Sequence, residues 1–119
     1  MSSKAKILCV GNMVFCDAFC VLAQTGSAEV LRAVTVAEAR RHFTDTPDLF
    51  AIFLSDCVEQ EMDTLELVVE IRRGSPVLMH AYCVRPEIAR RFDNAGCHST
   101  VSNWHQVNEL VQDLISCFC

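Results

Sequence analysis

Short apolar runs alternate along the chain with longer segments whose apolar residues recur every three or four positions. Continuous apolar runs are typical of strands buried on both faces, and the longer spacing is typical of amphipathic helices. The runs predict strands over residues 6–10, 29–33, 50–54, 77–81 and 99–102. The longer segments predict helices over residues 15–24, 36–43, 64–73, 86–94 and 106–117. The chain is therefore predicted to contain five strands, each followed by a helix.

Regular alternation of strands and helices favours one architecture. Strand–helix–strand units form parallel sheets with helices on both faces, and their crossovers are right-handed. We therefore predict an α/β fold with a single doubly wound, parallel five-stranded sheet. In open sheets of this kind the functional residues lie at the carboxyl ends of the strands. Those ends hold Gly11-Asn12, Asp56-Cys57, Ala81-Tyr82 and Asn103.

Composition narrows the classes of protein that this sequence can specify. Its 119 residues are 51% hydrophobic, enough for one packed core, which excludes wholesale disorder. The net charge of −5 argues against direct nucleic-acid binding by this domain. No apolar run reaches the ~20 residues that a membrane-spanning helix needs, and the first apolar run is too short for a signal peptide. We expect a cytoplasmic protein that does not engage a membrane.

The eight cysteines are expected to be free thiols. No secretion signal accompanies them, several lie inside apolar runs, and no pair has the spacing of a zinc ribbon. Cys9 is expected in the core. Cys57 and Cys83 follow predicted strands and are expected to be inert, with a redox switch as the alternative. His80 is expected to face away from Ala81 as a hydrogen-bonded, partly buried residue.

Two stretches of the sequence resemble a known family. The first is Phe53-Leu54-Ser55-Asp56 followed by Met62-Asp63, and the second runs from Pro76-Val77-Leu78-Met79 through Ala95-Gly96 to Glu109-Leu110. In order and spacing, residues 6–115 resemble the receiver domain of bacterial two-component response regulators. The resemblance implies a flavodoxin-like fold of (βα)5 type and places the phosphorylated aspartate at Asp56.

The resemblance also shows what this sequence lacks. The two acidic residues that bind Mg²⁺ in receivers fall on Gly11 and Asn12, the hydroxyl residue on Ala81 and the lysine on Asn103. Mg²⁺ prefers anionic oxygen ligands, and phosphoryl transfer needs cations to neutralise the developing charge. Only Asp56 remains, so we expect no cofactor, weak or absent Mg²⁺ binding, and slow or absent phosphorylation.

These features predict a signalling module that is not an enzyme: a degenerate receiver, or pseudo-receiver, acting by protein–protein association. We expect a homodimer, with an output domain, a partner protein or a histidine kinase as further partners. Trp104 is a candidate interface anchor, and the alternative is that it packs on the loop after the first strand. Residues 1–119 are expected to form one domain, which can be the N-terminal part of a longer regulator.

Three alternatives stay open from the sequence. One is a functional receiver that a histidine kinase phosphorylates on Asp56. Another is a cysteine-based redox sensor on the same fold. The last is a small-molecule site in the pocket that the missing acidic residues and lysine leave more neutral.

Overall fold

The computed structural model describes residues 5–24, 28–55 and 61–118 of the chain. The strands are β1 (Lys6–Val10), β2 (Glu29–Ala33), β3 (Ala51–Ser55), β4 (Leu78–Tyr82) and β5 (Ser99–Val101). The helices are α1 (Met13–Gln24), α2 (Val36–Asp45), α3 (Glu61–Gly74), α4 (Pro86–Ala95) and α5 (Trp104–Phe118).

All five strands pair in parallel, in the order β2-β1-β3-β4-β5. This is the doubly wound order of flavodoxin-like folds, with its switch point between β1 and β3. The predicted fold class is confirmed. Ser55 pairs with Tyr82, and Tyr82 pairs with Val101, so β3, β4 and β5 end side by side.

Two apolar layers cover the faces of the sheet. One joins alternate strand residues such as Leu8 and Ile52 to α2, α3 and α4, and Phe92 is its largest helical side chain. The other joins Cys9 and Phe53 to α1 and α5. Because strand side chains alternate between faces, the central strands are apolar on both sides, as their continuous apolar runs predicted. Within the described ranges, no helix is both long and apolar enough to cross a bilayer.

Several predicted boundaries are wrong by one to three residues, and the shifts matter for the site. The β3 and β4 strands each begin and end one residue later than predicted, so Ser55 and Tyr82 belong to them. Helices α1 and α5 begin two residues earlier than predicted, at Met13 and Trp104, and α3 begins at Glu61 rather than residue 64. The strand ends and the helix starts therefore meet more closely than the apolar pattern indicated.

Arg72 ties α3 to the loops beneath β4 and β5. Its guanidinium donates to the carbonyl oxygens of Gly96, Ser75 and Val77 at 3.1, 3.0 and 2.9 Å. Gly96 ends α4 with φ of 128°, a conformation that favours glycine. Arg72 is half-buried and therefore has a structural role.

Candidate functional site

A cavity of about 240 Å³ lies at the carboxyl edge of the sheet, between α1 and the start of α5. Such crevices at the strand ends are where α/β proteins place their functional groups. In the part of the chain that the structure describes, its lining carries no formal charge. It is formed by Asn12, Val14, Phe15, Ala18, Ser55, Tyr82 and Trp104.

Three aromatic rings dominate this cavity, which we call the aromatic pocket. The Phe15 and Tyr82 rings are stacked, with centroids 5.9 Å apart and planes 10° apart. The Trp104 ring stands edge-on to both, at 5.9 Å from Phe15 and 6.1 Å from Tyr82. Stacked and edge-to-face pairs at these distances are favourable beyond their buried area. The rings therefore brace α1, β4 and α5 against one another.

Gly11 leaves the space that the Phe15 ring occupies. A Cβ atom at residue 11 would lie 2.6 Å from Cδ2 of Phe15 and 3.0 Å from Cβ of Ser55. Carbon atoms do not approach to 2.6 Å without a shift of one of them. An acidic side chain at this position is thus incompatible with the present place of Phe15.

Asn12 and Asn103 cap the two helices that border the pocket. Oδ1 of Asn12 accepts a hydrogen bond from the backbone N–H of Phe15 at 2.8 Å. Oδ1 of Asn103 accepts one from the backbone N–H of Gln106 at 2.9 Å. Asparagine is favoured at this position because its oxygen satisfies a donor of the first helical turn. Both side chains have a structural role that explains their presence.

The other candidate residues from the sequence lie in different parts of the molecule. Ala81 is fully buried in the layer of α2, α3 and α4, on the opposite face of the sheet from Tyr82. Trp104 is half-buried and packs on Phe15, which follows the loop after β1. Asp56 and Cys57 lie outside the described residues, as do the side chains of Met62 and Asp63.

His80 is a buried residue of the α1–α5 face, as its position in the strand predicted. Its Nδ1 lies 2.8 Å from Oγ of Ser99, and its ring packs on Phe53. Burial, with a smaller effect from His98, lowers the pKa of His80 to about 4. The exposed His98 also has a structural role, because its Nδ1 accepts from the backbone N–H of Met79 at 3.2 Å.

Two of the positions that the receiver resemblance assigns to Mg²⁺ binding, residues 11 and 12, offer little to a cation. Gly11 has no side chain and Phe15 occupies the space beside it, and the Asn12 oxygen already accepts from the backbone. Mg²⁺ demands near-ideal octahedral coordination by hard oxygen atoms, which these two positions do not offer. Among the described residues, no group of three His, Cys, Asp or Glu side chains is placed to hold a metal ion.

The cysteines contribute one arrangement that the sequence interpretation did not predict. Cys9 is buried in the core, as expected, but its Sγ lies 3.6 Å from Sγ of Cys16. Cys83 is also buried. The pair could have been found from the chain order, because an inward-facing residue of β1 meets the first turns of the helix that folds back over it. Phe15 and Tyr82 were missed because the aromatic pocket joins residues distant in sequence.

Comparison with solved structures shows a close likeness of fold. A two-component response regulator from Clostridium difficile matches with a TM-score of 0.81 at 15% identity, over 95% of this chain and 97% of that one. The receiver domain of a Pseudomonas fluorescens HD domain-containing protein matches with a TM-score of 0.80 at 15% identity, over 98% and 97%.

A third neighbour is the receiver domain of a Saccharomyces cerevisiae response regulator, solved with the histidine phosphotransfer protein upstream of it. Its TM-score is 0.76 at 16% identity, over 98% of this chain and 92% of that one. No protein-family model matches this chain, and no curated protein matches its sequence. The chain thus has the fold of response-regulator receiver domains.

Proposed function

We propose that this chain is a pseudo-receiver: a non-enzymatic signalling module that acts through protein–protein association and not through Mg²⁺-dependent phosphorylation of Asp56. The observation that carries the proposal is the Phe15 ring beside Gly11. An aromatic side chain stands where a receiver needs a metal-binding carboxylate. At the carboxyl edge of the sheet, side chains therefore pack against one another where a receiver would bind a metal ion.

Loss of the acidic pair removes the means of bringing a phosphoryl donor to Asp56. A phosphoryl group carries negative charge, and a carboxylate repels it unless a cation lies between them. Gly11 supplies no ligand, and the Asn12 oxygen is neutral and already caps α1. We expect the rate of phosphorylation to fall far below that of an ordinary receiver.

The remaining two positions support the same conclusion. Asn103 takes the place of the lysine and caps α5, so it offers no positive charge to a phosphoryl group. Ala81 takes the place of the hydroxyl residue and is buried among apolar side chains. A phosphoryl group would therefore meet no positive charge at residue 103 and no hydroxyl donor at residue 81.

Association with a second copy of the chain is the mode of action that the surface charges support. A groove of about 290 Å³ runs between β5 and α5 and is lined in part by Glu109 and Asp113. Helix α4, on the other side of β5, exposes Arg90 and Arg91. A twofold axis near β5 would bring these two arginines of each protomer to the acidic groove of its partner.

Other protein partners are the next class to test. The yeast neighbour was solved with a histidine phosphotransfer protein, and the neighbour NtrX from Brucella abortus is longer, since the match covers 28% of it. By analogy, a phosphotransfer protein, a histidine kinase or an attached output domain could engage this chain. With each of these partners, the proposed mode of action is the same: association of this chain with another protein.

The test of the proposal is exposure of the chain to acetyl phosphate or beryllofluoride with Mg²⁺. Intact mass would detect a phosphoryl adduct, and ¹⁹F NMR would detect a bound beryllofluoride group. Asp56→Asn is the matched control, and an ordinary receiver run in parallel verifies the reagents. We expect no signal that depends on Asp56, even in excess Mg²⁺.

An adduct or a bound fluoride resonance that disappears in Asp56→Asn would overturn the proposal. That outcome would establish the alternative of a working phosphoacceptor. A histidine kinase or phosphotransfer protein as donor extends the same test, because a protein partner can supply groups that small donors lack.

A further inference from the structure

Cys9 and Cys16 form a buried thiol pair away from the aromatic pocket. Cys9 lies on β1 and Cys16 in the first turns of α1, and their Sγ atoms are 3.6 Å apart. Neither residue has any exposed surface. The carbonyl oxygens of Gly11, Cys9 and Ala33 lie 3.6–3.9 Å from Sγ of Cys16, which fixes that sulfur against β1.

The two thiols differ in reactivity. Burial raises the pKa of Cys9 far above its ordinary value. The hydrogen bond from the Cys9 thiol lowers the pKa of Cys16 to about 7, and the positive charge of Arg32 contributes. A thiolate is the nucleophile in sulfur chemistry, and cysteines near helix N-termini and cations are the reactive ones. Cys16 also lies at the start of α1, where local opening would admit a reagent, so we assign it as the attacking group and Cys9 as the second thiol.

We propose that Cys9 and Cys16 are a modification site, at which a hydroperoxide such as hydrogen peroxide closes an intramolecular disulfide between β1 and α1. The sulfur atoms need to approach from 3.6 Å to the length of a disulfide bond, about 2.05 Å. A movement of about 1.5 Å is within the reach of side-chain rotation and a small shift of α1.

The disulfide forms in two steps, and each step balances in atoms and electrons. The Cys16 thiolate attacks one peroxide oxygen, the O–O bond breaks, and hydroxide leaves and takes up a proton as water. Cys16 is then a sulfenic acid, and the peroxide has been reduced. The Cys9 sulfur next attacks the Cys16 sulfur, the S–O bond breaks, and the Cys9 proton leaves with the hydroxyl group as a second water.

Burial of the two thiols determines the rate of oxidation, and their position determines its structural effect. A peroxide reaches Cys16 when the first turns of α1 open locally, so oxidation is slower than at an exposed thiol. Once closed, the bridge holds α1 to β1 next to Gly11 and Phe15. Because Phe15 packs on Trp104, oxidation is expected to change the environment of the single tryptophan.

The experiment treats the reduced chain with hydrogen peroxide, removes the oxidant with catalase, and alkylates the remaining thiols under denaturing conditions. Trypsin leaves residues 7–32 in one fragment that also contains Cys20. Cleavage at Met13 and before Asp17 separates Cys9, Cys16 and Cys20, so the bridged pair is identified directly. We expect a reducible link between Cys9 and Cys16, beside any faster oxidation of the exposed Cys117, and a shift in Trp104 fluorescence.

Alanine variants test the roles of Cys16 as the attacking thiol and Cys9 as the second thiol. Alanine is a suitable replacement because a buried cysteine behaves as a small apolar residue. Cys9→Ala is expected to stop at a Cys16 sulfenic acid that dimedone traps, formed more slowly because the hydrogen bond from the Cys9 thiol is lost. Cys16→Ala is expected to give neither the bridge nor the trapped species. Cys97→Ala is the matched control, because Cys97 is also buried and burial raises its pKa to about 12.

Two results would overturn the proposal, and the first needs no variant. One is a native chain that keeps both thiols, or that bridges Cys16 to Cys20 instead. The other is a dimedone adduct on Cys9 in Cys16→Ala, which would make Cys9 the attacking thiol. Neither result bears on phosphorylation of Asp56, so this site and the proposed function fail or stand separately.

Discussion

At the scale of single residues, Gly11 and Phe15 decide which chemistry the strand ends can support. The absence of a side chain at residue 11 leaves room for the Phe15 ring, which stacks on Tyr82. Introducing a carboxylate at residue 11 requires moving a ring that braces three elements. Such a substitution would therefore change the packing as well as the charge.

Gly11→Ala is expected to destabilise the fold by about 1–3 kcal/mol, the usual cost of overpacking a filled core. The added Cβ would lie 2.6 Å from the Phe15 ring. Chemical denaturation monitored by Trp104 fluorescence would measure the free energy of unfolding. Gly74→Ala is the matched control: nothing lies within 4 Å of its added Cβ, and alanine is favoured in helices. Equal effects at the two glycines would contradict the packing argument.

A second residue-scale property is the pH dependence that His80 confers. Its folded pKa of about 4 lies below the ordinary value of 6.5, so the native state binds fewer protons than the unfolded chain between these values. Stability from this residue is complete above pH 6.5 and is lost as the pH falls towards 4.

We expect His80 to make the chain roughly 2 kcal/mol less stable at pH 5 than at pH 7, on the scale of 1.36 kcal/mol per pKa unit. Denaturant unfolding at the two pH values would measure this difference. His80→Phe removes the titrating group and is expected to flatten the dependence. His105→Gln, at an exposed position, is expected to leave it unchanged. An equal dependence in His80→Phe would show that other groups cause it.

At the scale of secondary-structure elements, the apolar pattern predicted all five strands and all five helices in order. It succeeded because strands buried on both faces and amphipathic helices differ in period and length. It placed the starts of α1 and α5 too late, because Asn12 and Asn103 extend each helix by a turn-capping hydrogen bond. A cap depends on one side-chain oxygen, which apolar periodicity does not register.

The site was predictable only in part, for a related reason. The residues at the strand ends, Gly11, Asn12, Ala81 and Asn103, can be read from the sequence once the strands are placed. The aromatic pocket is not visible there, since Phe15, Tyr82 and Trp104 belong to three elements that only the tertiary fold brings together.

At the scale of the whole molecule, the two edges of the sheet, at β2 and at β5, carry different patterns of surface charge. The β2 edge carries exposed ion pairs such as Arg32 with Asp17, which contribute little to stability. The β5 edge combines the exposed arginines of α4 with Glu109 and Asp113 of the groove beside α5. This second edge carries exposed charges of both signs, which an isologous dimer of the proposed kind could pair.

Charge reversal at the β5 edge tests the dimer as a property of the whole molecule. Arg90→Glu and Asp113→Arg are each expected to weaken self-association in sedimentation equilibrium, because each places like charges across the twofold axis. The double variant restores opposite charges with reversed sign and is expected to recover association. Arg41→Glu, an exposed change on α2, is the control for net charge and is expected to have little effect.

The dependence of self-association on ionic strength tests whether charge pairs hold the two copies together. Exposed charge pairs are screened over about 8–10 Å at physiological salt, so added salt should weaken the wild-type dimer and the double variant alike. A chain that stays monomeric at all concentrations, or single variants that associate like the wild type, would exclude this edge as the contact between copies. Association of the signalling module would then have to involve a different protein, with the apolar side chains of α1 as the next surface to examine.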